Sequence, residues 1–204
     1  MLVHTIDEDV YLRLFTKDDA QEFFQLTIDS KAYLKEWLGW LDYTNTVDDT
    51  AKHIQARCEE IAANGGYPQS FAIVYKGRIA GTIGFNTINN ASKIGVIGYW
   101  LGESFQQKGI MSKALKAVIH YGFHDLKLNR IELRVATENY KSRALPENFG
   151  FKEEGHIRQA EWLYDHYLSR KAASYCGYDK AISKELALDT SHCGKVFFCP
   201  FSFS

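Results

Sequence analysis

The residues best placed to do chemistry are Gln106-Gln107-Lys108-Gly109-Ile110-Met111, because of what stands on either side of them. Before them, Ile94 to Leu101 is a run of apolar, β-branched and aromatic residues, the composition of a buried strand. After them, Met111, Ala114, Leu115, Val118, Ile119 and Phe123 recur at helical spacing and mark one buried face. A strand that turns through a glycine into a helix leaves the first backbone N–H groups of that helix unpaired. Those groups, with the positive end of the helix dipole, form a site for phosphate. The loop has neither the Gly-Lys-Ser/Thr ending of a P-loop nor Gly-x-Gly-x-x-Gly. An ordinary strand–turn–helix without a ligand is the competing reading. His120 and His124 stand four apart, as a metal pair would, but no third ligand accompanies them, so a core or surface pair is the simpler reading.

The elements that must position this loop follow from local pattern. Tyr11 to Phe15 alternates like a strand, and Thr16 with Asp19 reads as a helix start. Tyr33 to Leu41 is a short helical stretch whose Trp37 and Trp40 either fill the core or wall a cleft. Thr46 to Asp49 repeats the capping pattern, and the following helix stops at Asn64-Gly65-Gly66. Phe71 to Tyr75 and Ile79 to Phe85 form a hairpin about Lys76-Gly77-Arg78, and Asn89 to Ser92 marks a further turn. Arg130 to Ala136 is a strand, and Tyr140 to Phe149 holds a short helix that Pro146 delays to a late start. A strand opens at Gly150-Phe151 and ends near Glu154-Gly155. The order predicts an α/β (α+β) fold: a mixed, mostly antiparallel sheet with helices on both faces.

The chain of 204 residues is long enough for one sizeable core, and its net charge of −1 gives no case for bulk attraction to nucleic acid or membrane. No apolar run approaches a membrane span, and the N-terminus lacks the pattern of a signal peptide. Cys58, Cys176, Cys193 and Cys199 show no zinc spacing, so the expectation is a cytosolic protein without a metal, with Cys58 on a core-facing helix side.

The pattern Gln-x-x-Gly-x-Met resembles the Gln/Arg-x-x-Gly-x-Gly/Ala signature of the GNAT acyltransferases, with Met111 in place of the small last residue. From Tyr11 to Tyr167 the chain looks like a GNAT acetyltransferase and, within that superfamily, like the RimL-like enzymes that acetylate N-terminal amines of ribosomal proteins. Glu36 to Trp40, Ile97 to Leu101, Gln106 to Met111, Asn139 to Gly150 and Ile157 to Glu161 carry the resemblance in the family's order. It implies acetyl-CoA as donor, a primary amine as acceptor, and a sheet splayed at the CoA site between Gly98–Leu101 and Leu133–Ala136.

Under that resemblance, Gln106, Gln107, Lys108, Gly109, Ile110, Met111 and Ser112 hold the CoA pyrophosphate. The Lys108 side chain either adds charge there or is simply solvated. Tyr99, Trp100 and Leu101 pair with the pantetheine arm, and N–H groups near Trp100 and Leu101 face the thioester oxygen. Glu161 matches the family's base, with a surface salt bridge as its alternative, and Ser142 matches the serine that supports the leaving thiolate. Asn139 bonds the pantetheine or the acetyl carbonyl; for Asn139 and Ser142 the alternative is a helix cap. Tyr140 is a reserve acid.

After Tyr167 the family's valine-rich last strand is expected, but the period-two pattern fails at Leu168-Ser169-Arg170-Lys171. The sequence therefore divides into a GNAT domain, 1–167, and an atypical tail, 168–204, with a short helix at Ser183 to Thr190 and an apolar run at Val196 to Phe203. A strand missing there leaves an open sheet edge, which favours a homodimer or aggregation. The acceptor is left open between a protein N-terminus and a small amine such as a polyamine or aminoglycoside, with a CoA-binding protein that does not turn over as a third reading.

Overall fold

The computed structural model describes residues 3–177. Strands β1 (Val3–Thr5) and β2 (Val10–Arg13) lead into α1 (Ala20–Asp29), α2 (Lys31–Leu34) and α3 (Val47–Ala63). Thr46 begins α3 through a reciprocal pair of bonds: Asp49 N–H donates to Thr46 Oγ1 at 3.1 Å and Thr46 N–H to Asp49 Oδ2 at 2.9 Å. At Thr16 the same device starts a single 3₁₀ turn, Lys17–Asp19, which runs straight into α1. Asp19 is held there by Arg13, whose two guanidinium nitrogens reach its two oxygens at 2.6 and 2.7 Å.

Next come β3 (Ser70–Tyr75), β4 (Arg78–Asn89), β5 (Ile94–Leu101), α4 (Ile110–His124), β6 (Arg130–Ala136), α5 (Tyr140–Asn148), β7 (Lys152–Leu163) and β8 (His166–Cys176). They form one eight-stranded sheet in the order β1-β2-β3-β4-β5-β6-β8-β7. Its one parallel pair is β5 with β6. Thr82 of β4 faces the layer of α1 and α3, whereas Phe85 packs on Gly122 of α4, so helices cover both faces as expected. The core lies between the sheet and these helices, with Ile73, Ile83, Leu115, Val118 and Ile131 fully enclosed.

The parallel pairing is short. It runs from Ile94↔Arg130 to Ile97↔Leu133, yet β5 continues to Leu101 and β6 to Ala136. Beyond Ile97 the two strands part, and the sheet splays where the resemblance to the GNAT family implied. A bulge in β4 between Phe85 and Thr87 sets Asn86 beside the parting. Its side chain lies 2.4 Å from where a Cβ on Gly98 would be, so position 98 has no room for a side chain.

Three expectations are corrected. Helix α5 starts at once, at Tyr140, and Pro146 stands in its last turn. Strand β7 runs on to Leu163 rather than ending near Gly155. It is the sheet edge, exposed from Lys152 to Ala160, and a strand wet on both faces has no apolar alternation to read. The third concerns the tail: β8 forms through the stretch where the alternation fails and pairs with β6 and β7. The charges that argued against it are answered across the strands, Lys171 by Glu153 at 2.8 Å and Arg170 by Glu161. The edge of β6 is thereby closed. The segments Ser183–Thr190 and Val196–Phe203, with Cys193 and Cys199, lie outside the described residues.

Candidate active site

A cavity of about 910 Å³ occupies the parting of β5 and β6. Gly98 to Trp100 and Leu133 to Ala136 form its floor, and Trp37, Trp40, Thr44, Thr50 and Arg57 form one wall. Asn139, Ser142, Glu161, Trp162 and Arg170 form the other. Trp37 and Trp40 thus wall the cleft, and Trp40 also packs against the core. Trp40 stands 6.0 Å from Trp100, which itself stacks on Phe23 at 5.2 Å.

Backbone direction along β5 follows from one bond. Gly102 N–H reaches Ala80 O at 2.8 Å, on the β4 side. Alternation then turns Trp100 N–H to β4 and leaves the N–H groups of Tyr99 and Leu101 facing the parting. Of the two donors expected for the thioester oxygen, only Leu101 is therefore free on that side. The Tyr33 hydroxyl donates to Leu101 O, in the next peptide along the strand. Tyr33 had no sequence signal as a site residue, because its partner lies 68 residues away.

The loop after β5 has the geometry that the pattern promised. Gln107 and Gly109 take positive φ, 60° and 70°. Lys113 N–H makes the first helical bond, to Gly109 O at 3.1 Å, and no side chain caps the helix. The N–H groups of Gly109, Ile110, Met111 and Ser112 thus precede the helical ladder. A Cβ on Gly109 would meet nothing within 4 Å, so open space lies over this N-terminus, as a phosphate requires. Met111 is buried in the core, so its bulk is turned away from the cradle. Gln106 lies beside the Tyr33 hydroxyl. Lys108 points elsewhere: its Nζ donates to Ser104 O at 2.8 Å and sits 5.6 Å over Phe105, so its contribution here is backbone only.

Asn139 caps α5, its Oδ1 accepting from Ser142 N–H at 3.1 Å. Pro146 shapes the same turn. Having no N–H, it leaves the carbonyl four residues back, that of Ser142, without a helical partner. Tyr99 donates its hydroxyl to that carbonyl at 3.0 Å. Burial pushes the Tyr99 hydroxyl far above the usual tyrosine pKa, so it stays a donor. The Ser142 hydroxyl has no partner among the described residues and lines the cavity. Tyr140 is exposed and bonds Glu138 at 2.9 Å, away from the cavity, so the reserve acid is on the wrong side of α5.

Glu161 reaches the cavity through an irregularity in β7. Between Ile157↔Arg170 and Glu161↔Leu168 three residues of β7 oppose one of β8, and Ser169 Oγ takes up the N–H of Gln159 at 3.2 Å. Glu161 Oε2 bonds Arg170 Nη2, and its other oxygen has no partner among the described residues. Arg170 also donates to Arg134 O at 3.1 Å. Arg170 was missed because it lies in the stretch read as a failed strand; opposite charges on either side of the Leu163–His166 turn were the available sign. Among the described residues no cluster of His, Cys, Asp or Glu is placed to hold a metal, and His120 and His124 simply stack at 4.1 Å. No described helix is long and apolar enough to cross a membrane.

A family model described as "Acetyltransferase (GNAT) domain" matches residues 9–152. The ribosomal-protein-serine acetyltransferase of Escherichia coli (strain K12) is 32% identical over 162 residues, covering 79% of this chain and 89% of that protein. The spermidine N(1)-acetyltransferase of the same strain is 24% identical over 169 residues, covering 82% and 84%. Among solved structures, RimL, a ribosomal L7/L12 alpha-N-protein acetyltransferase in complex with coenzyme A, superposes with a TM-score of 0.80 at 29% identity, over 85% of this chain and 97% of that one. The matched segment contains the parted strands and the glycine turn that opens α4. With that match, the chain belongs to the GNAT acetyltransferases and is an acetyl-CoA-dependent N-acetyltransferase.

Proposed function

We propose that the acceptor is the N-terminal amine of a protein, of the kind the ribosomal-protein acetyltransferases modify. The supporting observation is the charge that lines the cavity. The only carboxylate residue among its described lining is Glu161, already paired to Arg170, while Arg57 on the opposite wall has no ion-pair partner among the described residues. A polyamine with several positive charges meets no complement there, whereas a peptide brings one amine and an extended backbone.

Acetyl-CoA supplies an acetyl group activated as a thioester. The N–H groups of Gly109 to Ser112 hold the pyrophosphate, with Gln106, Gln107 and the Lys108 backbone shaping the turn. The open edge at Tyr99 and Leu101 pairs with the peptide-like arm, and Leu101 N–H faces the oxygen on which negative charge develops. Trp100 walls the site beside them, and Asn139 holds the turn that presents Ser142. Glu161 takes the proton from the attacking amine, directly or through one water, on the oxygen Arg170 leaves free. The Ser142 hydroxyl donates to the departing sulfur.

The test is acetyl-CoA turnover by the full chain on peptides with free N-termini and on spermidine, with the product mapped by mass spectrometry. Acetylation at the peptide α-amine is expected, and Glu161→Gln should lower it by about 10²–10⁴-fold at neutral pH. The loss should shrink as pH rises and more of the amine is uncharged. Turnover on spermidine with none on peptides would overturn the acceptor, and an unimpaired Glu161→Gln would overturn the base.

A further inference from the structure

The cavity holds one charged group for which acetyl transfer has no use. Arg57, on α3, lines the wall opposite Ser142. The two other arginines that line the cavity have carboxylate partners, Glu132 for Arg134 at 3.0 Å and Glu161 for Arg170. Among the described residues, no carboxylate makes an ion pair with Arg57. Its guanidinium lies 5.2 Å from the Phe15 ring centre and spends one donor on Thr82 Oγ1, at 3.3 Å. Four of its five N–H groups are left over. Burial pulls its pKa down, the mark of a cation short of a counter-charge.

The phosphates of the donor are not the missing partner, because none of Gln106 to Ser112 lines this cavity. Thr82 stands directly opposite Trp100 in the β4–β5 ladder. The guanidinium is therefore about one and a half strand spacings, roughly 7–10 Å with its height above the sheet, from the gap where the amine must attack. An extended peptide advances about 3.3 Å per residue.

Taking the acceptor to be a peptide amine, as above, we infer that Arg57 binds a side-chain carboxylate on the second or third residue of that peptide. The enzyme then selects protein N-termini that carry Asp or Glu just after the acetylated residue, and an N-terminus with Lys there is repelled.

The experiment compares kcat/KM of the full chain on peptides that differ only in Asp or Asn at residue two, and then at residue three. The wild type should favour the acidic member at one of these positions by about tenfold or more, the worth of one charge-assisted hydrogen bond. Arg57→Gln should erase that preference while leaving kcat/KM on the neutral peptide within about threefold, and Arg57→Lys should restore part of it. Thermal unfolding of both variants identifies a merely structural clamp between α3 and β4: equal loss on acidic and neutral peptides together with a lowered Tm overturns the inference. So does an equal rate of the wild type on both peptides, or a preference that survives Arg57→Gln. If no peptide is acetylated at all, the acceptor reading itself falls and takes the inference with it; turnover on peptides without discrimination sinks the inference alone.

Discussion

Around Gly109 the chain is fixed by packing. Ile110, Leu115, Val118 and Ile119 of α4 are 1% exposed or less, and the buried pair Arg13–Asp19 starts at the end of β2, a strand on which α4 packs. Along β7 and β8 the opposite holds. Lys152 to Ala160 are exposed, and the hairpin is tied by charge: Glu153 to Lys171, Glu154 to Arg130 and Ser174, Glu161 to Arg170. At its tip, Tyr164 bonds Leu38 O at 2.7 Å and Leu163 is fully buried, which docks the hairpin on the tryptophan wall. The glycine turn thus rests on a core that water does not enter, and the hairpin that carries Glu161 on contacts that water and salt compete for. The proposed phosphate cradle is built on the first and the proposed base on the second.

The largest expected effect separates these regimes directly. Asp19 is 9% exposed and accepts from both arms of Arg13. Burial opposes its charge, but the Arg13 bonds and the Thr16 N–H outweigh that and hold its pKa below the ordinary carboxylate value. Asp19→Asn leaves Arg13 buried without a counter-charge and should destabilise the fold by about 3–5 kcal/mol in urea unfolding at pH 7. A depressed pKa means the stabilisation is complete above the unfolded value of about 3.9 and fades as pH falls below it. The gap between wild type and variant should therefore close in acid; a gap that persists at pH 2 would mean packing, not charge, holds this turn.

Next in size is Gly109→Asp. The backbone there has φ +70°, which a side chain tolerates poorly, and the carboxylate would stand in the open space over the helix N-terminus. CoA affinity measured by calorimetry should fall by at least tenfold, about 1.4 kcal/mol. Unchanged affinity would remove the loop from the donor site.

The smallest effect tests the hairpin. Lys171 and Glu153 form a partly exposed pair, 30% and 52% accessible. Lys171→Ala should change stability by no more than about 1 kcal/mol, and by less at high salt. A loss comparable to that of Asp19→Asn would show that the two regions are not held as differently as their exposure indicates.

How much of this was legible follows the range of the interactions. The strand Ile94–Leu101, the glycine turn and the face of α4 were all readable, because periodicity and an αL glycine are properties of neighbours in sequence. The capping box at Thr46 was readable for the same reason. Strand β7 was read short because an edge strand has no buried face to impose alternation, and β8, which lies between β6 and β7, was not read because Arg170 and Lys171, answered only by carboxylates across the strands, break its pattern. The register that sets Arg170 against Glu161 also depends on a bulge that no pattern announces.

The sequence by itself determined the fold class and the glycine turn whose following N–H groups precede α4, while Ser142 and Glu161 entered as candidates only through the resemblance to the GNAT family. Which of them share a space was decided only in three dimensions. The parting of β5 from β6 depends on pairs more than thirty residues apart. The same holds for Arg57, which is one helical arginine among many in the sequence. Only the packing of α3 on β4 half-buries it on Thr82, without an ion-pair partner among the described residues, at the wall of the cavity. Burial and pairing are relations between distant segments, so the chain encodes them but no local stretch displays them.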